Sequence, residues 1–126
     1  MANIEKFLHS EITNLILQAY YKVYNQVGFG FDKSDYIKAL SLELRHLGCQ
    51  FEVQKKVNLL FDNQIIGNFE ADLWFADKVL VQVTTQVSMG QEDLEKLPAQ
   101  TKHSGAQVGL LLNFGIVPEH KRRLIN

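Results

Sequence analysis

The sequence predicts an α/β fold, a mixed sheet of about four strands flanked by helices, with elements in the order ααβββαβ. Apolar residues recur at helical spacing up to residue 47 and mostly alternate with polar residues from residue 51. A meander of three strands is then followed by a helical segment and a short apolar run, as in a helical crossover to a further strand. The length of 126 residues fits a single domain, residues 1–126.

Two helices are predicted ahead of the sheet. The first covers residues 10–24, where apolar side chains form one stripe. The glycines of residues 28–31 end it, because they permit backbone angles that other residues resist. A second helix, capped by Asp32 or Ser34, then runs to Leu47.

Three strands are predicted next, and they carry the candidate site. Residues 51–61 alternate between apolar and polar, residues 62–64 form a turn, and residues 65–75 form a second strand with a bend or bulge near Gly67. Residues 79–83 are apolar on both faces, which is typical of a central strand.

The last third of the chain predicts a helix and a buried strand. Residues 92–102 are helical in pattern but contain Pro98, so either the helix begins near Leu97 or it is kinked at the proline. Residues 108–113 form a short apolar run typical of a buried strand. The basic tail, residues 120–123, is predicted to lie on the surface.

Composition excludes several classes of function. The formal net charge of -1 supplies no overall field that would draw the protein to nucleic acid or to a membrane. The single cysteine, Cys49, excludes an internal disulfide and a cysteine-based zinc site. No apolar stretch approaches the length of a membrane span, so we expect a cytoplasmic protein that does not contact membranes.

Acidic and amide side chains on two neighbouring strands form the candidate site. Glu70 and Asp72 lie on the second strand, and Gln82 and Thr84 on the third. Residues two apart on a strand share a face, so these groups can meet and their oxygens can hold a hard cation such as Mg²⁺. The same spacing also fits an amphipathic hairpin whose polar residues simply face solvent.

Four segments resemble the GxxExxY protein family, which is placed among PD-(D/E)XK nuclease-like proteins. They follow one another with similar spacings over residues 12–126, and the last is the most specific. The segments are Gly28-Phe29-Gly30-Phe31 with Tyr36, Ala39-Leu40-Ser41-Leu42-Glu43-Leu44, Ala71-Asp72-Leu73, and Gly109-Leu110-Leu111-Leu112-Asn113-Phe114-Gly115. The resemblance implies a restriction-endonuclease-like fold and a metal-dependent nuclease ancestry.

The chain departs from this family outside the strands at two places. Gly30 and Tyr36 match the name-giving motif, but Lys33 stands where the family has its glutamate. The Gln-Tyr pair usual on the following helix falls on Lys96 and Gln100.

On the strands, the family's aspartate is matched by Asp72, whereas its glutamate falls on Gln82 and its lysine on Thr84. An amide oxygen can still approach a metal, but a hydroxyl carries no positive charge and cannot replace a lysine. Two migrations would rescue the site: Glu70 could supply the lost carboxylate, and Lys33 or Lys96 the lost lysine.

These departures favour a nuclease-like domain that has lost metal-dependent phosphodiester cleavage. It would act as a weak nucleic-acid-binding module or a protein-interaction module, with no cofactor. One alternative is an active nuclease that uses Mg²⁺ or Mn²⁺ bound by Asp72, Glu70 and Gln82. Another is a homo-oligomeric structural protein, at simplest a homodimer, that assembles through an exposed aromatic surface.

Overall fold

The computed structural model describes residues 8–125, which fold into three helices and five strands. The elements are α1 (Ser10–Val27), α2 (Lys33–His46), β1 (Glu52–Phe61), β2 (Gln64–Phe75), β3 (Val79–Thr84), α3 (Gln91–His103), β4 (Val108–Phe114) and β5 (Pro118–Leu124). Within these residues no helix combines the length and the apolar character that a membrane crossing requires.

The strands form one mixed sheet in the order β1-β2-β3-β4-β5. β3 and β4 are parallel and joined by α3, while every other neighbouring pair is antiparallel. The predicted α/β class with a mixed sheet is therefore confirmed, and β3 is the central strand. The register of β1 on β2 shifts between Leu59 and Leu60, next to Gly67, where a bulge or bend was expected.

A fifth strand lies beyond the four that the sequence predicts. The basic tail continues the sheet as β5, which pairs along its length with β4. Its pattern, Pro118-Glu119-His120-Lys121-Arg122-Arg123, contains no apolar alternation because an edge strand is ordered by hydrogen bonds to its neighbour. Charged side chains on such an edge also discourage pairing with another chain.

The helices cover both faces of the sheet. α1 and α2 pack on the face that carries Val81 of β3 and Leu110 of β4, which belong to the main apolar core. α3 packs on the other face, where Leu97 and Thr101 approach Gly109 so closely that a methyl group there would collide with them. The candidate site therefore lies in the middle layer of a three-layer arrangement.

The two uncertainties about helix boundaries are settled by the structure. α2 is capped at Asp32, whose backbone N–H donates to the Asp35 carboxylate at 3.3 Å. α3 begins at Gln91 and continues through Pro98, so the alternative start near Leu97 is wrong. A single helix, α3, thus forms most of the connection from β3 to β4.

Candidate functional site

β2 and β3 separate at the candidate site, and the side chain of Gln82 bridges the gap. Ladder pairing between the strands stops at Leu73 and Val81. Beyond it, Gln82 Oε1 accepts the Asp72 backbone N–H at 2.8 Å, and Gln82 Nε2 donates to the Glu70 carbonyl at 3.0 Å. These partners require one acceptor and one donor, which an amide provides and an ionised carboxylate does not. Gln82 therefore holds the two strands together.

Asp72 is a buried carboxylate with only one of its oxygens bound. Its side chain is 1% exposed, and Oδ2 accepts the Val83 backbone N–H at 2.8 Å. Among the described residues nothing donates a hydrogen bond to Oδ1. Burial raises the pKa of Asp72, and the Val83 hydrogen bond and the Lys33 ammonium partly oppose that rise. The unbound oxygen marks a place for a hydrogen-bond donor or a cation.

The ammonium group of Lys33 is the cation that contacts Asp72. Lys33 is the first residue of α2, and its Nζ lies 3.0 Å from Asp72 Oδ2. Its side chain is 48% exposed, so it reaches the buried carboxylate from the protein surface. The structure thus brings together Asp72 and Lys33, which are far apart in the sequence.

Thr84 is held by a network at the carboxyl ends of β3 and β4. Thr84 Oγ1 donates to Asn113 Oδ1 at 2.9 Å, and the buried Asn113 amide also binds the Gln86 backbone N–H at 3.0 Å and carbonyl at 2.9 Å. Tyr20 donates its hydroxyl proton to the Asn113 carbonyl at 2.5 Å. The Asn113 amide therefore joins the end of β3 and the loop that leads into α3 to the end of β4.

A cavity of about 90 Å³ joins most of the predicted site residues. Lys33, Asp72, Gln82, Thr84 and Lys96 all line it, together with Val83, Asp93, Gln100 and Leu111. Lys96 forms an ion pair with Glu92, with Nζ and Oε1 2.9 Å apart. Glu70 is the exception: its side chain is exposed and is not among the lining residues, although its carbonyl receives the Gln82 hydrogen bond.

Asp93 is the lining residue that sequence reasoning missed. It lies in the first turn of α3 and accepts a hydrogen bond from Gln86 Nε2 at 3.0 Å. Its spacing to Lys96 and Gln100 is three and then four residues, which places all three on one helix face. That spacing was the available signal, and it was visible once Lys96 and Gln100 were assigned to the site.

The donor set does not fit a divalent cation as it stands. Hard cations take several oxygen ligands, commonly from more than one carboxylate. Asp72 has one unbound oxygen and an ammonium at the other, Gln82 Oε1 accepts the Asp72 backbone N–H, and the Asp93 carboxylate accepts a hydrogen bond from Gln86. Within residues 8–125 no three His, Cys, Asp or Glu side chains are grouped to hold a metal.

Asp72→Asn is expected to stabilise the protein at pH 8. Because burial raises the pKa of Asp72 in the folded state, stability is full when the carboxyl is protonated and falls as pH rises through that pKa. Asparagine keeps an acceptor for the Val83 N–H without a buried charge. We expect Asp72→Asn to be more stable than the wild type at pH 8 and the difference to shrink as the pH falls, measured by urea unfolding. The exposed Asp77→Asn is the control, and a gain independent of pH would contradict this account.

Comparison with known proteins identifies the superfamily. A family model described as the PD-(D/E)XK nuclease superfamily matches residues 10–124, from the start of α1 to the end of β5. No curated protein and no solved structure matches the chain significantly. The mixed sheet with helices on both faces is consistent with the restriction-endonuclease-like fold of that superfamily. Since the match covers residues 10–124 of the 126-residue chain, the chain belongs to the PD-(D/E)XK nuclease superfamily.

Proposed function

We propose that this domain binds nucleic acid without cleaving it. The observation that carries the proposal is the ion pair between Lys33 and Asp72, with Nζ and Oδ2 3.0 Å apart. Metal-assisted hydrolysis needs carboxylates that are free to hold the cation against the scissile phosphate. Here the buried carboxylate is neutralised from within the chain, and Thr84 supplies no charge to orient a water.

The position of α2 explains why the side chain at residue 33 determines whether Asp72 is free to bind a metal. Tyr36 donates its hydroxyl proton to the Gly28 carbonyl at 2.6 Å and accepts the Phe31 backbone N–H at 3.2 Å. These bonds tie the glycine loop to the first turn of α2, so the side chain at position 33 points at Asp72. This local arrangement supports GxxExxY membership as part of the proposal, with Lys33 replacing the motif's glutamate.

Binding without cleavage rests on the two lysines at the cavity. Lys33 and Lys96 approach it from α2 and α3, and both side chains are about half exposed. Lysine contacts to phosphate need no metal, and their contribution falls steeply with salt. Because the net charge is only -1, we expect weak and salt-sensitive binding. A cytoplasmic location stays a prediction.

The test combines cleavage and binding on the same preparations. We expect no cleavage of plasmid or single-stranded DNA in Mn²⁺, by the wild type or by Asp72→Asn. Fluorescence anisotropy at low salt should show DNA binding that Lys96→Gln weakens by roughly tenfold, with a salt slope lower by about one. Lys38→Gln, an exposed lysine of α2 away from the cavity, is the matched control.

Two results would overturn the proposal in different ways. Cleavage by the wild type that disappears in Asp72→Asn would mean that an active site has been rebuilt around Asp72. Equal binding by the wild type, Lys96→Gln and Lys38→Gln would mean that the cavity does not receive the phosphate backbone.

A further inference from the structure

The loop between α1 and α2 exposes two phenylalanine rings close to the cavity. Phe29 is 42% exposed and Phe31 is 54% exposed. Phe31 lies two residues before Lys33, so their Cα atoms are at most about 7 Å apart. Because Lys33 lines the cavity, an exposed aromatic ring lies beside one of the two lysines that approach it.

Hydrogen bonds to the backbone hold this loop in place. The Phe31 N–H donates to the Tyr36 hydroxyl at 3.2 Å, and that hydroxyl donates to the Gly28 carbonyl at 2.6 Å. Tyr36 in turn stacks on Phe114 of β4, with ring centroids 4.0 Å apart. None of these contacts uses the ring of Phe31, so the loop is fixed to the core while the ring stays at the surface.

Further apolar side chains lie at the same end of the sheet as the cavity. Val87 follows β3, Ile116 and Val117 follow β4, and each is between 57% and 62% exposed. The Ile116 N–H donates to the Val87 carbonyl at 3.2 Å. The Tyr24 hydroxyl lies 2.6 Å from the Ile116 carbonyl, and the Tyr24 carbonyl accepts the Gly28 N–H at 2.9 Å. These bonds join both turns to the loop that carries the phenylalanines.

We propose that the domain binds single-stranded nucleic acid, with a base stacked on Phe31 and the neighbouring phosphates at Lys33 and Lys96. This inference rests on the proposed function and names the form of nucleic acid that the site takes. Proteins that bind single strands combine cations that follow the backbone with aromatic rings on which bases stack. In a duplex the faces of the bases are covered by their neighbours, so a ring on a surface loop reaches only an unpaired base.

The charge around Phe31 is mixed, which limits what phosphate contacts alone can contribute. Lys33 and Lys96 are cations, but the exposed carboxylates of Asp32 and Asp35 lie at the start of α2. Stacking does not depend on net charge, so it supplies affinity that these carboxylates do not cancel. One stacked base strengthens binding by roughly five- to 150-fold.

An abasic strand separates stacking from charge, because it keeps every phosphate and lacks the bases. Fluorescence anisotropy would compare a labelled single strand of about 12 nucleotides, its abasic counterpart and a duplex of the same length. We expect the wild type to bind the strand with bases at least roughly tenfold more tightly than either of the others. Phe31→Ala should bind the two single strands equally.

Phe61→Ala is the matched control and should bind like the wild type. Phe61 is 64% exposed but pairs with Gln64 at the turn between β1 and β2. Gln64 lies eight residues along β2 from Asp72, a distance of roughly 26 Å. Phe31→Trp covers the case in which Phe31→Ala does not fold. It should keep the preference for bases, and its added indole fluorescence should be quenched when the strand binds.

The outcomes distinguish failure of this inference from failure of the proposed function. Equal binding of the normal and abasic strands by the wild type would overturn the stacking; if Lys96→Gln still weakened both, the proposed function would stand without it. A preference for bases that Phe31→Ala keeps in full would also overturn the role of Phe31. Failure to bind any of the three probes would overturn both proposals and leave these apolar side chains to a protein partner.

Discussion

Replacing Lys33 by glutamate should create a divalent-cation site at Asp72 that the wild-type protein does not have. The change removes the ammonium from Asp72 Oδ2 and adds a third carboxylate to a cavity that already contains those of Asp72 and Asp93. Without metal, two carboxylates beside each other repel, so Lys33→Glu should be less stable than the wild type in EDTA. When Mn²⁺ is bound, the carboxylates become its ligands, and the repulsion between them is relieved.

We expect Mn²⁺ to offset the loss of stability that Lys33→Glu shows in EDTA. At about ten times its Kd, Mn²⁺ should stabilise Lys33→Glu by about 1.4 kcal/mol, or about 5 °C in Tm, whereas the wild type should not respond. Differential scanning calorimetry with and without Mn²⁺ measures both, and titration calorimetry gives the affinity.

Two further variants show whether the new site uses Asp72. Lys33→Gln removes the ammonium without adding a carboxylate and should respond to Mn²⁺ much less. Lys33→Glu combined with Asp72→Asn should lose the response altogether. If the wild type is stabilised by Mn²⁺ as strongly as Lys33→Glu, Lys33 does not exclude the metal and the proposal of a non-cleaving domain fails.

Gly115→Ala is expected to destabilise the fold by about 3 kcal/mol, a fall in Tm of about 10 °C. A methyl group at Gly115 would lie 2.6 Å from the Gln86 carbonyl, 2.7 Å from the Val87 carbonyl and 2.8 Å from Asn113 Nδ2. Two of these atoms belong to the backbone, so neither can rotate away. The loop between β3 and α3 must move, and the hydrogen bonds from Asn113 to Gln86 must lengthen or break.

Gly67→Ala is the matched control for this prediction. Gly67 also lacks a positive φ, and a methyl group there would make only an ordinary contact of 3.6 Å with Leu59. Its change in stability should be within about 0.5 kcal/mol, measured by urea unfolding. If both glycines tolerate alanine equally, the close approach of the loop to Gly115 does not hold this end of the sheet together.

The close approach at Gly115 is one of three contacts made by the segment Asn113-Phe114-Gly115. Asn113 binds the loop through its side chain, Phe114 stacks on Tyr36 with ring centroids 4.0 Å apart, and Gly115 admits the loop backbone. Each of the three residues thus contacts a different neighbour. The pattern was visible in the sequence, but its reasons are contacts to residues far away in the chain.

Elements with strong internal periodicity were predictable, and those without it were not. The central position of β3 in the sheet was predicted correctly, because its side chains are apolar on both faces of the sheet. β5 was missed because its order comes from hydrogen bonds to β4, which leave no trace in its own polar pattern. The start of α3 was uncertain because Pro98 is a strong local signal that the tertiary context overrides.

The candidate site, too, was predictable from the sequence only in part. The sequence located Asp72, Gln82, Thr84, Lys33 and Lys96, and all five line the cavity. It did not separate Glu70, which lies two residues before Asp72 on the same strand, from the lining residues. Ladder pairing of β2 with β3 stops at Leu73, and beyond it only the backbone of Glu70, bonded by Gln82, is tied to β3, while its side chain is exposed.

The sequence by itself determined the α/β class, the order of the first seven elements and the chemical groups available to the site. These depend on local periodicity and on residue identity, both of which can be read from the amino-acid sequence. Only the tertiary structure decided which cation meets Asp72, that the amide of Gln82 bridges two strands, and that the β1–β2 hairpin at residues 58–68 does not pair with β3. Those outcomes depend on how α2, β2 and α3 approach one another across the core, and such distances arise from packing of the whole chain rather than from any segment.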